Sequence, residues 1–345
     1  MKALVKYASG NGNVDIRDVE EPRCGDHEVK LEIAYCGICG TDLHVFDDTF
    51  RNYPPVILGH EFSGRVVEVG KLSGSCARLG DIVAGLGATA VRCGRCAYCL
   101  SGNFIFCPKR RGMGHGTDGA FTRYVVMRPD QLYPVPPGLT PEEAALCEPL
   151  AAVVHAVTEI SPVRIGQKAL VSGPGPIGLL CLKLLVAQGV STIVAGTADD
   201  VERLAAAKRF GAISVVNTDE QNLSNAVADF AGGLGVDTAF ECAGHPESIR
   251  GCLQALRPMG HHTQVGVCGQ NVQLPVDLIF SKQLTMAGSI CYTEATWDRM
   301  MQILAVSDIR LGDLVSHKLP ISEWRTAFDL CRSRKALKVL MSPID

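Results

Sequence analysis

From about residue 168 onward, short apolar runs alternate with segments of about ten residues whose apolar positions repeat at helical spacing. Lys168–Ser172, Thr192–Gly196, Ile213–Val216 and Val236–Glu241 read as strands. Gly178–Gln188, Val201–Phe210 and Asn222–Ala231 read as the intervening helices, and Pro246–Leu256 then His262–Val267 continue the series. Strand alternating with helix predicts an α/β fold with a doubly wound parallel sheet. The region before Pro141 has a different texture. Leu31–Ala34, Ser63–Val69, Asp81–Ala84 and Phe121–Met127 are strand-like runs broken by Gly and Pro, which predicts an irregular, mainly β unit. At Pro141 a helix begins, with Thr140 placed to cap it. The end of the chain predicts helices over Ala295–Ala305 and Ile321–Cys331, then a strand, Ala336–Met341, able to return to the first unit.

With 345 residues the chain is long enough for two domains, and 47% hydrophobic against 20% charged residues supports substantial cores. Its apolar runs stay well below the roughly 18 residues of a membrane helix, so no membrane partner is expected. A net charge of −3 argues against nucleic acid. Met1–Lys6 has the alternation of a strand rather than the apolar core of a signal peptide, so the expected location is cytoplasmic. Fifteen cysteines are then expected to be reduced, and the question becomes which of them bind metal. Cys181, Cys242, Cys252, Cys268 and Cys331 lie in apolar surroundings and read as small buried hydrophobes.

The strand at Lys168–Ser172 leads into Gly173-Pro-Gly175-Pro176-Ile177-Gly178, a G-x-G-x-x-G turn that opens a helix. The first glycine allows the tight turn, the second a close approach to a pyrophosphate, and the third helix–strand packing. The following strand ends in Thr197-Ala198-Asp199-Asp200, about 20 residues on, where an acid can accept from the ribose hydroxyls and repel a 2′-phosphate. No Lys or Arg precedes Arg203, so NAD is expected, with NADP as the alternative. One of the two aspartates can instead serve the helix N-terminus.

Cys93, Cys96, Cys99 and Cys107 lie within fifteen residues on a Gly-containing loop. Four thiolates so spaced can close a tetrahedron around one zinc ion with no open position, which predicts a structural site. A redox CxxC pair would not use four cysteines. A second set has to be gathered from afar: Cys39 in Cys36-Gly-Ile-Cys-Gly-Thr41-Asp42-Leu-His44, His60-Glu61, and Glu148 beside Cys147. Thiolate, imidazole and carboxylate suit zinc with a position left for substrate.

Together these segments, with Cys147-Glu-Pro-Leu-Ala and Val265-Gly-Val267, resemble the medium-chain zinc alcohol dehydrogenases. The polyol branch is most similar: sorbitol, (R,R)-butanediol and threonine 3-dehydrogenases. The resemblance implies a GroES-like catalytic domain over residues 1–152 and 288–345, and a Rossmann domain over 153–287. It implies hydride transfer between a secondary alcohol and NAD(P), two zinc ions per chain, and a homodimer or homotetramer. Cys39, His60, Glu61 and Glu148 match the catalytic zinc sphere, and Asp42 the carboxylate that orients the ligand histidine. Thr41 and His44 match the proton relay. Gly173, Gly175, Pro176, Ile177, Gly178, Asp199, Arg203, Val265 and Val267 fall at cofactor positions, and Lys338 at that of a basic residue contacting the pyrophosphate. Two positions depart from the pattern: Cys291 stands where sorbitol dehydrogenases carry an arginine, and Ala198 where the ribose acid is usual. Threonine and cyclitol dehydrogenases are therefore alternatives; a zinc-free quinone or enoyl reductase on the same fold is a rival that the Cys39, His60 and four-cysteine patterns argue against. A zinc-ribbon interaction module is the reading outside enzymes, prompted by Arg92, Arg95, Lys109, Arg110 and Arg111 around the four cysteines.

Overall fold

A computed structural model describes residues 1–74, 77–161 and 163–344. Six parallel strands form one sheet in the order Ser214–Asn217, Ser191–Gly196, Lys168–Ser172, Val236–Glu241, Leu256–Gln264 and Thr285–Gly288. The chain starts at the third of these, winds outward on one side, then returns and winds outward on the other. The reversal leaves a crevice at the C-terminal ends of Lys168–Ser172 and Val236–Glu241, where ligands of such sheets bind. Every pairing in this sheet is parallel, as the alternation predicted.

The other large sheet is mixed. Its backbone is Val29–Gly37 paired antiparallel with Glu61–Val69, followed outward by Ile82–Gly85 and Leu132–Pro134. Lys338–Ser342 joins the opposite edge of Val29–Gly37, at Leu340 to Gly37 and Met341 to Cys36, so the chain's end does return to the first unit. A three-stranded sheet holds Lys2–Lys6 between Val14–Asp18 and Val56–Ile57.

Two expected elements are drawn differently. The helix from Pro141 stops at Ala144 and a new one runs Cys147–Val154. Pro149 lacks the N–H that would bond to Ala145, but it sits in the first turn of the new helix, where that N–H is not needed. Thr140 caps the first helix, accepting from the Glu143 N–H while the Glu143 carboxylate accepts from the Thr140 N–H. The strand expected over His262–Val267 is instead Leu256–Gln264. Beyond it the N–H groups of Val265 and Gly266 both donate to the Glu241 carbonyl, at 2.9 and 2.8 Å, and turn the chain away.

The helix Cys147–Val154 joins the two units. Leu146, Leu150 and Val154 lie in one continuous core with Leu86, Leu179, Trp297 and Leu340, all at or near zero exposure. Burying such side chains contributes roughly 1.5–3 kcal/mol each. Among the described residues, no helix is long and apolar enough to cross a membrane.

A candidate metal centre and dinucleotide groove

Cys39 caps the short helix Gly40–Phe46, and Asp42 in its first turn reaches back to it. Asp42 Oδ2 accepts from the Cys39 N–H at 2.9 Å, and Oδ1 from the Gly59 N–H at 3.2 Å. One buried carboxylate therefore pins both segments that carry Cys39 and His60. Gly59 has φ +91°, and a side chain there would meet Cys36 and Phe121 within 3 Å, so only glycine allows the close turn before His60. As a result, ligand atoms of Cys39, His60 and Glu61 lie within 4.8 Å of one another.

Burial disfavours a charged His60, yet the neighbouring Cys39 and Asp42 outweigh it and hold its pKa well above the ordinary histidine range. Its Nδ1 is buried without a hydrogen-bond partner. Asp42 Oδ1 stands 3.8 Å away, too far for a hydrogen bond, so Asp42 positions the backbone around His60 rather than the ring. A thiolate, an imidazole and a carboxylate converging in a negative environment fit a divalent zinc ion.

Glu148 does not join that set. Its Oε1 accepts from the Tyr292 hydroxyl at 2.7 Å, and burial pushes its pKa up to about 7. Lys338 pairs with Glu61 and donates to the Ile38 carbonyl at 2.8 Å. Burial opposes its charge, but Glu61 and Cys39 keep its pKa above the usual lysine value. Its ammonium is thus held by Glu61 and Ile38 beside Cys39, at the position where the resemblance implies a contact with the pyrophosphate.

Cys93, Cys96, Cys99 and Cys107 also bring their sulfurs within 4.8 Å. Cys93 Sγ is 4.0 Å from Cys99 Sγ, and the Cys93 N–H points to Cys107 Sγ at 3.4 Å. N–H groups of Arg95 and Cys96 lower the Cys93 pKa to about 6, which favours the thiolate a metal needs.

At the crevice of the parallel sheet lies a groove of about 750 Å³. Gly173, Pro174, Gly175, Asp199, Arg203 and Ala243 are among its walls. Gly173 has φ +99° and passes so close to Ala243 that any side chain would collide with its backbone. Gly175 caps the helix Pro176–Ala187, and Gly178 packs against the Gly173 carbonyl, where a Cβ would lie 2.0 Å away. A smaller cavity of about 130 Å³ touches Pro176 and Arg203 on one side and Cys39 and Lys338 on the other. Cys39 and the start of the helix Pro176–Ala187 therefore face a common space.

The first part of the chain, residues 25–137, matches the alcohol dehydrogenase GroES-like domain, and residues 176–306 match the zinc-binding dehydrogenase domain. A sorbitol dehydrogenase of Halalkalibacterium halodurans is 36% identical, with all of each chain covered. The chain belongs to the zinc-binding alcohol dehydrogenase family. A D-arabitol-phosphate dehydrogenase of Enterococcus avium is 34% identical over 99% of this chain and 97% of that one. A solved structure described as a zinc-binding dehydrogenase of Sinorhizobium meliloti 1021, bound to NADP, superposes with a TM-score of 0.88 at 30% identity, covering 99% of each chain.

As a zinc-binding dehydrogenase, this oxidoreductase distributes its other sequence-predicted residues unevenly. Thr41 Oγ1 is 3.7 Å from Cys39 Sγ. His44 is exposed and its Nδ1 lies 3.1 Å from Thr49 Oγ1. Of the two aspartates, Asp200 is the helix-end acid: it accepts from Thr197 and pairs with Arg203 and Arg334 at 3.5 and 3.4 Å. Asp199 is exposed on the groove and forms no ion pair among the described residues. Val265 and Val267 are not among the groove's walls, because the chain turns off at Gln264; Val267 is 77% exposed. Cys181 and Cys252 are buried as expected, whereas Cys242, Cys268 and Cys331 are only half-buried.

Sequence reasoning missed Glu241. It is fully buried at the end of its strand, and it accepts from the N–H groups of Ala243 and Gly244 at 3.0 and 2.9 Å. Ser248 Oγ and Gln264 Nε2 each donate to it at 2.6 Å. This carboxylate thereby shapes the loop that Gly173 leans on. The sequence held one clue, an acid ending the strand Val236–Glu241. Charge-assisted hydrogen bonds contribute roughly 1.5–3 kcal/mol each. Glu241→Gln is therefore expected to raise KM for the dinucleotide roughly 10–100-fold, by loss of one to two such bonds, and to change KM for the alcohol far less. Steady-state titration of each substrate checks this, and an equal rise in both constants would contradict it.

Proposed function

We propose that this enzyme oxidises a secondary alcohol group of a polyol or vicinal diol at the Cys39–His60–Glu61 centre, passing hydride to NAD in preference to NADP. The convergence of those three ligands, one of which, Cys39, lines the cavity that also touches Pro176 and Arg203, carries this reading. Zinc bound there supplies Lewis-acid polarisation of the carbinol oxygen. Cys39, His60 and Glu61 would hold the ion, with Lys338 offsetting the charge of Glu61. Glu148, steadied by Tyr292, is a carboxyl that could accept from a substrate hydroxyl. Thr41, 3.7 Å from Cys39 Sγ, would take the carbinol proton and pass it through a ribose hydroxyl of the dinucleotide to the exposed His44, which releases it to solvent.

The cofactor preference rests on Asp199, whose carboxylate, unpaired among the described residues, lines the groove and would repel a 2′-phosphate. We further assign a second zinc to Cys93, Cys96, Cys99 and Cys107, and the domain division to residues 1–152 with 288–345 and 153–287. The same reading places the protein in the reducing cytoplasm, where cysteines stay available as zinc ligands. The open edge at Thr285–Gly288, beside Phe280 at 86% exposure, suits a second copy of the chain.

The test is reduction of NAD and NADP with sugar alcohols, vicinal diols, cyclitols and L-threonine. Turnover with a polyol or diol and faster use of NAD are expected; activity confined to L-threonine, or preference for NADP, would overturn the corresponding part. Light scattering on the same preparation should give a dimer or tetramer, not a monomer.

A further inference from the structure

The basic residues around the four cysteines divide into two kinds. Arg92 is neutralised, its guanidinium 2.6 Å from Asp130 and 2.7 Å from Glu294. Arg110 is not. Its Nε donates to the Ala88 carbonyl at 2.7 Å, and among the described residues the remaining N–H groups of its half-buried guanidinium meet neither a carboxylate nor any other acceptor. A planar fork of free donors held in a fixed place is the geometry that recognises carboxylate and phosphate.

Its place is set by the segment that borders the metal centre. Gly87 lies against His60, where a Cβ would be 3.1 Å from the His60 carbonyl oxygen. The next residue, Ala88, holds Arg110 through its carbonyl, and its N–H points at the Tyr292 hydroxyl at 3.4 Å. That hydroxyl in turn donates to Glu148. Arg110 and Glu148 are thus anchored through the same Ala88–Tyr292 contact. The positive character continues through Arg111 and Arg51, which cover the Tyr53 ring at 4.3 and 5.1 Å and also lack acidic partners among the described residues. Tyr53 N–H is bonded to the His115 carbonyl at 2.9 Å. Burial, with His60 and Arg110 adding to it, lowers the pKa of His115 to about 4, so that ring stays neutral and does not compete for an anion.

We propose that Arg110 is a specificity-determining residue that receives an anionic group, a phosphate monoester or a carboxylate, carried by the alcohol at a distance from the carbon being oxidised. This rests on the Cys39–His60–Glu61 centre being where the alcohol reacts, and it narrows the substrate class for that site.

The zinc-loaded, full-length enzyme is to be assayed with pentitols and hexitols, their terminal phosphate monoesters and the matching aldonates. At least one anionic member should exceed its neutral parent about tenfold or more in kcat/KM, and the better of the two anionic series identifies the source of the charge. Arg110→Gln should shrink that preference roughly 10–100-fold, the worth of a charged hydrogen bond or two, mainly through KM. Arg110→Lys, which keeps the charge but not the fork, should fall between. Calorimetric titration with inorganic phosphate should show binding to the unaltered enzyme and weakened binding to Arg110→Gln. Neutral polyols turned over as well as every anionic partner, or an Arg110→Gln loss equal for both, would overturn the anion site alone. Absence of turnover with every alcohol would overturn both this and the function it rests on.

Discussion

Cys39→Ser and His60→Ala should each lower kcat/KM by on the order of 10³ or more while leaving the circular dichroism spectrum and expression unchanged. The centre offers three donors, so losing one forfeits much of the several kcal/mol that a Lewis-acid site lends, at about 1.4 kcal/mol per factor of ten. The fold should survive because both residues sit where Asp42 ties two backbone segments, and neither side chain is needed for those two bonds. Zinc analysis should show loss of one metal equivalent. Full activity in either variant would remove the metal centre from the proposed function.

The second large effect lies in stability. Between Cys93 and Cys107 only Phe104, Ile105 and Cys107 are buried, while Tyr98, Leu100 and Phe106 are half exposed or more. A lobe with so little core depends on cross-links, and a structural zinc contributes folding energy directly. Cys96→Ser should therefore reduce bound zinc by one per chain and lower the melting temperature on the order of 10 °C, taking several kcal/mol at roughly 2–4 °C each. Turnover at low temperature should fall far less than in Cys39→Ser. Unchanged zinc content and melting temperature would show that the four sulfurs bind no metal.

Much of this molecule is legible from local pattern. The parallel sheet follows from alternating strand and helix, because each βαβ unit is a short-range arrangement with its own periodicity. The glycine turn was readable for the same reason: Gly173, Gly175 and Gly178 answer to the shape of one turn and one helix end. The four-cysteine set needed only spacing. Elements that depend on partners were harder. The two-residue strand Val56–Ile57 and the edge strand Thr285–Gly288 have too few positions to show a period, and exist because a neighbour supplies the hydrogen bonds.

The chemistry divides along the same line. The family resemblance marked Cys39, His60, Glu61 and Glu148, but not which carboxylate stands with the thiolate and imidazole. Packing sets the two apart: Glu61 directly follows His60 and opens the strand Glu61–Val69, whereas Glu148 sits on the helix Cys147–Val154 and is drawn to Tyr292, 144 residues away. Lys338, some 300 residues from Ile38, is committed to Glu61 for an equally nonlocal reason. Glu241 was recognisable only once Ala243, Ser248 and Gln264 surrounded it. Repeating pattern and close spacing specify which elements form, since each is stabilised within itself. Which buried charges meet depends on strands and helices far apart in the chain, and a buried charge takes whatever partner the tertiary packing brings to it.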